Sequence, residues 1–144
     1  MKPAAAPLVI DGYASLFGRA DQMGDVVRRG AFRASLARRK GPVPMLVQHD
    51  ARLMAGVWTE IREDARGLYV RGEIRADAPG AAQALRLLRR GVDGLSIGFV
   101  PIVAQKAAAG RLLEEIDLLE VSIVTLPMQP LARLTPRAGA HRAV

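Results

Sequence analysis

The chain has 144 residues, half of them hydrophobic, and a formal net charge of +7 carried almost entirely by arginine. This length suits one domain with a real core rather than two, and the composition is globular rather than disordered. With no cysteine, a disulfide framework, a thiol nucleophile and thiolate metal sites are all excluded, and two histidines are too few for a histidine-built metal site.

No run approaches the roughly 20 apolar residues that span a bilayer. The opening MKPAAAPLVIDG lacks the apolar h-region of a secretory signal, so the expectation is a cytoplasmic protein. A basic surface favours acidic partners and keeps nucleic acid under consideration.

In chain order, the pattern predicts a strand over residues 7–16 and a helix over 30–39, with Phe32, Ser35, Leu36 and Arg39 on one side. Strands follow at 43–49, 54–63 and 67–75, the last two joined by the turn sequence EDARG, whose Gly67 is free to take a positive φ. A second helix over 78–90 has Asp77 as candidate N-cap, Pro79 in its first turn and Gly91 as its stop. Both helices end in arginines, which complements the macrodipole. A packing role with a solvated basic face accounts for them without any further function.

Three more strands are predicted at 95–103, 111–117 and 118–126, with AAAG at 107–110 turning between the first two. The break within EEIDLLEVSIV is the weakest boundary, because that stretch also reads as one long bent strand. From about Pro127 the sequence turns Pro-, Ala- and Arg-rich without a period, so an extended tail is expected. The fold class is therefore mainly β with helices outside: a single-domain, largely antiparallel barrel of about seven strands over 1–130, and a flexible basic tail over 131–144.

GLSIG at 94–98 fits G-x-S-x-G, the nucleophile elbow of α/β-hydrolases. An elbow turns into a helix after its serine, yet Ser96 is followed by IGFVPIV, β-branched and aromatic with Pro101 inside. That fold also orders its triad serine, acid, histidine, and the only histidine after Ser96 is His141 in the tail. The elbow is excluded.

A serine on a strand can still attack if a base reaches it. His49, in PVPMLVQHD, is the histidine of the structured body and so the natural base near neutral pH. Alternation places it with Met45 and Val47, while Asp50 points away and is a poor orienter. In LSIGFV, Leu95, Ile97 and Phe99 share one face and Ser96, Gly98 and Val100 the other. The glycine there admits a substrate backbone, relieves crowding or marks a bulge. Ser15, Ser35 and Ser122 are weaker candidates. Glu120 stands out as a carboxylate inside the buried-looking LLEVSIVTLP, where it needs a partner or a raised pKa. Each residue also has a plain reading: a hydrogen-bonded strand-end histidine, a half-buried strand serine, and an edge-strand charge.

Taken together, GYASLFGRADQMGDVVRRGAFRASL, MLVQHD, GLYVRGEI, LLRRGVDGLSIGF and DLLEVSIVTLP, in that order, resemble the prohead proteases of tailed bacteriophages, over roughly residues 8 to 130. These are capsid-maturation serine proteases related in fold to the herpesvirus assemblins, and some occur in gene transfer agents. The resemblance implies an assemblin-like β-barrel with flanking helices. It also implies that His49 of the QHD motif is the general base and Ser96 of GLSIGF the nucleophile. Glu120 of the EVS motif is implied as orienter, with Asp117 as the fallback. No cofactor or metal is implied. Arg89 and Arg90 are candidate contributors to oxyanion binding.

The implied substrate is the scaffold or the scaffold-like N-terminal region of the major capsid protein, cut inside the assembling prohead in the bacterial cytoplasm. No membrane partner is implied, and homodimerisation or other self-association is left open. Two other readings stand beside the protease: a catalytically silent capsid-assembly factor of the same fold, and a basic nucleic-acid-binding barrel. The second is disfavoured because Trp58, Tyr13, Tyr69 and three phenylalanines are too scattered to form a stacking platform.

Overall fold

A computed structural model of the chain describes residues 7–136. Its elements run β1 (Leu8–Leu16), β2 (Val26–Val27), α1 (Arg33–Arg38), β3 (Val43–Val47), β4 (Asp50–Glu63), β5 (Gly67–Ile74), α2 (Ala81–Arg89), β6 (Gly94–Lys106) and β7 (Arg111–Val124). Among the described residues no helix is long and apolar enough to cross a membrane.

The strands form one curled mixed sheet in the order β1-β5-β4-β3-β7-β2, with β6 on the other side of β7. The expected antiparallel hairpins are present as β4–β5 and β6–β7, and β1–β5 and β3–β4 are antiparallel as well. The parallel contacts both involve β7, which runs alongside β3 and the short β2. Register shifts in β1–β5, β3–β4, β4–β5 and β6–β7 mark bulges, and bulges bend and twist a sheet into a half-barrel. The core fills its concave side with Ile10, Phe32, Met45, Trp58, Leu68 and Leu118, all at most 2 % exposed. Trp58 adds a polar tie across it, its Nε1 donating to the Val121 carbonyl at 3.1 Å.

Several sequence expectations change. The strands expected at 111–117 and 118–126 are one continuous β7. With β3 on one side and β6 on the other, its length is stabilised by pairing, which no local signal reports. The two-residue β2 is too short to leave a pattern. Helix α2 has Gly80 as its N-cap, with no side-chain cap from Asp77, while Gly91 stops it at φ +86° as expected. Gly67 takes no positive φ; a Cβ there would meet the Ser15 carbonyl, so close backbone approach is what requires the glycine.

The segment after Pro127 is not an unattached tail over its described part. Leu95 donates its N–H to the Ala132 carbonyl, and Leu134 donates to the Asp93 carbonyl. Tyr13 and Thr135 complete the seam, the first donating to the Arg133 carbonyl and the second to the Asp11 carbonyl. Residues 132–135 thereby bridge the open side of the half-barrel between β6 and β1, with Ala132 and Leu134 buried. Backbone pairing of this kind is indifferent to side-chain pattern, which is why composition suggested a tail. His141 and the rest of 137–144 lie outside the described residues.

Candidate active site

The β6–β7 pairing builds most of the site. In its antiparallel register Ser96 lies opposite Ser122 and Gly98 opposite Glu120. Ser96, Gly98, Glu120 and Ser122 therefore cluster across two adjacent strands, since residues two apart on a strand share a face. Glu120 is on an interior strand, so the edge-strand explanation of its charge does not apply.

His49 arrives from the other side of β7, and not as a strand residue. Val47 pairs with Asp50, so Gln48 and His49 are the two central residues of the β3–β4 turn. Both have positive φ, 52° and 61°, as a type I′ hairpin turn requires. Glycine and asparagine normally fill such positions, and other residues there are strained by roughly 1–3 kcal/mol each. The strain is offset by bonds to β7. Gln48 donates its N–H to the Ile123 carbonyl at 2.9 Å, and its carboxamide exchanges two bonds with Thr125. His49 donates its N–H to Ser122 Oγ at 3.0 Å.

The ring of His49 meets a carboxylate. Nδ1 lies 2.6 Å from Glu120 Oε2, while Glu120 Oε1 accepts from Ser122 Oγ at 2.7 Å. An ionised carboxylate only accepts, so Nδ1 carries the proton and Nε2 is left as the basic nitrogen. The hydrogen bond to Glu120 raises the His49 pKa above its ordinary 6.5, desolvation opposes this, and the charge of Glu120 reinforces it. Asp50, next in sequence, is turned away and engaged by Arg52.

Gly98 explains why the carboxylate reaches the ring. A Cβ on Gly98 would sit inside the van der Waals shell of Glu120 Oε2. Its missing side chain makes room for the Glu120 carboxylate, not for a substrate backbone. Ser122 is the other residue that the sequence reading undervalued. It is fully buried and joins the His49 backbone to Glu120 through one hydroxyl. The E-x-S spacing, which puts both side chains on one face of a strand, is the local signal that marks it.

Ser96 is 8 % exposed and lines, with His49, a cavity of about 230 Å³. Among the described residues no hydrogen bond joins its Oγ to the ring; apo sites commonly hold such pairs apart. Asp117 is elsewhere: it accepts from Ser35 Oγ and from Arg38, both at 3.2 Å, and fastens α1 to β7. Arg89 and Arg90 face solvent at the end of α2 and do not line the cavity. Arg111 does line it, but its guanidinium is held by buried Asp25 at 2.8 Å. Arg28, Arg38, Arg52, Arg62, Arg75 and Arg133 are likewise paired with carboxylates.

The chain has known counterparts in sequence. Residues 2–143 match the family described as the caudovirus prohead serine protease. The chain belongs to this family. It is 36 % identical over 126 residues to the prohead protease of Enterobacteria phage HK97, covering 83 % of this chain and 55 % of that one. The chain thus spans little more than half the length of that relative. As a prohead-protease family member it also shares its fold with solved structures at low identity. The capsid assembly protease of bacteriophage T4 superposes with a TM-score of 0.65 at 13 % identity, over 87 % of this chain and 90 % of that one. A Kaposi's sarcoma-associated herpesvirus protease, in complex with a hexapeptide phosphonate inhibitor, gives 0.64 at 12 % identity, over 93 % and 67 %. Varicella-zoster virus protease gives 0.57 at 14 %, over 90 % and 64 %. The assemblin-like fold expected from the motifs is therefore the fold observed.

Proposed function

We propose that the chain is a serine endopeptidase in which Ser96 is the nucleophile, His49 the general base and Glu120 the residue that orients it. The observation that carries this reading is the 2.6 Å contact of His49 Nδ1 with Glu120, made by a histidine that shares a cavity with Ser96. Ser96 Oγ attacks the scissile carbonyl while His49 Nε2 takes its proton. The imidazolium so formed is stabilised by Glu120 and returns the proton to the leaving amine. Water then repeats the sequence on the acyl-enzyme. Because the His49 pKa is raised, the free base is available only above a pH higher than 6.5, and cleavage rises with pH through that value.

Family membership and the capsid-assembly roles of the phage HK97 and T4 relatives support a substrate class: the scaffold, or a scaffold-like N-terminal region of the major capsid protein, cut inside the assembling prohead. The partners are then capsid and scaffold chains, with neither membrane nor nucleic acid.

Co-expression with the cognate capsid protein tests the reading. Ser96→Ala should reduce cleavage by on the order of 10⁴-fold or more while the thermal melting curve stays in place. Cleavage that persisted in Ser96→Ala and in His49→Ala would move the activity elsewhere.

A further inference from the structure

The cavity beside Ser96 holds a polar group that the proposed triad does not use. Ser15 of β1 is 1 % exposed and lines this cavity together with Ser96 and His49. Its Oγ is the single buried side-chain polar atom without a hydrogen-bond partner among the described residues. An unpaired buried hydroxyl is destabilising, and alanine would fill the same place without that cost.

The local backbone departs from regular strand geometry at this residue. Consecutive strand residues normally point to opposite faces, yet Ala14 and Ser15 both line the cavity. The register shift between Tyr13 and Ser15 in the β1–β5 pairing marks the bulge that makes this geometry available.

Several other polar groups of the cavity are already engaged. Asp25 is held by Arg111, and the carboxamide of Gln129 is bonded to the backbone of Leu16 and Arg19. Asp21 Oδ1 caps the N–H groups of Met23 and Asp25. Apolar Val27, Leu95, Ile97 and Leu113 supply much of the remaining wall. At about 230 Å³ the space is below the roughly 300–1,000 Å³ of small-molecule sites. It suits one side chain.

We propose that Ser15 is a specificity-determining residue of the subsite next to Ser96. The subsite takes a substrate side chain with an apolar stem and a hydrogen-bonding tip, and the tip pairs with Ser15 Oγ. The inference rests on the reading of Ser96 as nucleophile. A site built around a polar partner rejects the apolar analogue because its own group is then left unpaired.

The test uses the full chain and a library of proteome-derived peptides, with cleavage sites mapped by mass spectrometry for the wild type, Ser15→Ala, Ser15→Cys and Ser96→Ala. Matched synthetic peptides carrying glutamine or methionine at the responding subsite then give kcat/KM ratios. The wild type should favour the polar-tipped residue. Ser15→Ala should cut the glutamine-to-methionine ratio by about ten-fold or more, Ser15→Cys should fall between, and the melting temperature of Ser15→Ala should hold or rise.

A ratio unchanged by Ser15→Ala, a wild-type preference for plain aliphatic residues, or a lowered melting temperature would each overturn the subsite. Cleavage that needs Ser96 but ignores Ser15 defeats only this inference. Cleavage retained in Ser96→Ala, or no cleavage by the wild type, defeats the protease reading and this inference with it.

Discussion

The two turns that bound β4 are built on opposite principles. At one end, Asp64 holds the β4–β5 turn from within. Its N–H donates to the Gly67 carbonyl at 3.0 Å, and its Oδ1 accepts from the N–H groups of Arg66 and Gly67 at 2.8 and 3.1 Å. No residue of that turn has a positive φ. At the other end, Gln48 and His49 both sit at positive φ, and their anchors are Glu120, Ser122 and Ile123 on β7 and Thr125 just after it, more than 70 positions away. The first turn satisfies its backbone with local side chain-to-backbone bonds, with Asp64 Oδ2 also accepting from the Tyr13 hydroxyl of β1, so it serves as a connector and shows in its sequence. The second is strained alone and relaxed only by the sheet beside it. Strain at a site is held where the surroundings over-determine it, and here they also aim an imidazole.

The largest effect should come from relaxing the strained turn. His49→Gly removes the positive-φ strain and, with it, the base. Activity on the capsid substrate should fall by on the order of 10⁴-fold or more, while relief of backbone strain and loss of the bond to Glu120 oppose each other, so the melting temperature changes little. A clear loss of stability would mean that the ring, not the backbone, anchors the turn.

Next is Glu120→Gln, which keeps the shape of the anchor and removes its charge. The rate should fall by about 10²- to 10⁴-fold, and the acid limb of the pH–rate profile should move to lower pH, because the bond that raises the His49 pKa is gone. The same pair has a signature in stability. A histidine with a raised folded pKa stabilises the fold fully below the unfolded value near 6.5, and that share fades as pH rises through the folded value. In Glu120→Gln the share should vanish, as read by denaturant titration at several pH values.

Gly98→Ala is a finer probe. The new Cβ meets Glu120 Oε2, the far end of a flexible side chain, so the carboxylate swings away and the strands stay paired. A drop in rate of about 10- to 100-fold is expected from the misaligned base, with circular dichroism and melting unchanged; an unaltered rate would show that the ring needs no carboxylate. Smallest in activity is Asp64→Ala at the opposite turn. Losing charged acceptors for two backbone N–H groups should cost about 1–3 kcal/mol in urea unfolding and leave cleavage untouched. A matching loss of activity would break the contrast between the two turns.

What could be read in the sequence follows the same division. Seven apolar or alternating stretches, two amphipathic segments and the Gly91 stop are local signals, and the mainly β architecture follows from them. His49 stands out by elimination in a chain with no cysteine and one histidine in its body, Ser96 by the GLSIG pattern and Glu120 as a carboxylate in a buried-looking strand; the ordered motifs supplied their roles. Local reasoning misplaced the backbone of His49, because a strand that ends in QHD gives no sign that its last residues turn through positive φ.

Three further features depended on partners remote in sequence. Gly98 reads as room for a ligand until Glu120 is seen to occupy that room. Ser122 reads as one more buried strand residue until it proves to join the His49 backbone to the carboxylate. The stretch LARLT reads as tail until it is found bridging β1 and β6.

By itself the sequence determined the fold class, the family and the chemical candidates, because these reside in residue type and short-range spacing. Tertiary structure alone decided that Glu120 rather than Asp117 faces the ring, that a strained turn presents it, and that Ser15, with its unpaired hydroxyl, lies in the wall of the cavity beside Ser96. Each of those rests on the register of β6 and β3 against β7, and register is set by the packing of the whole sheet.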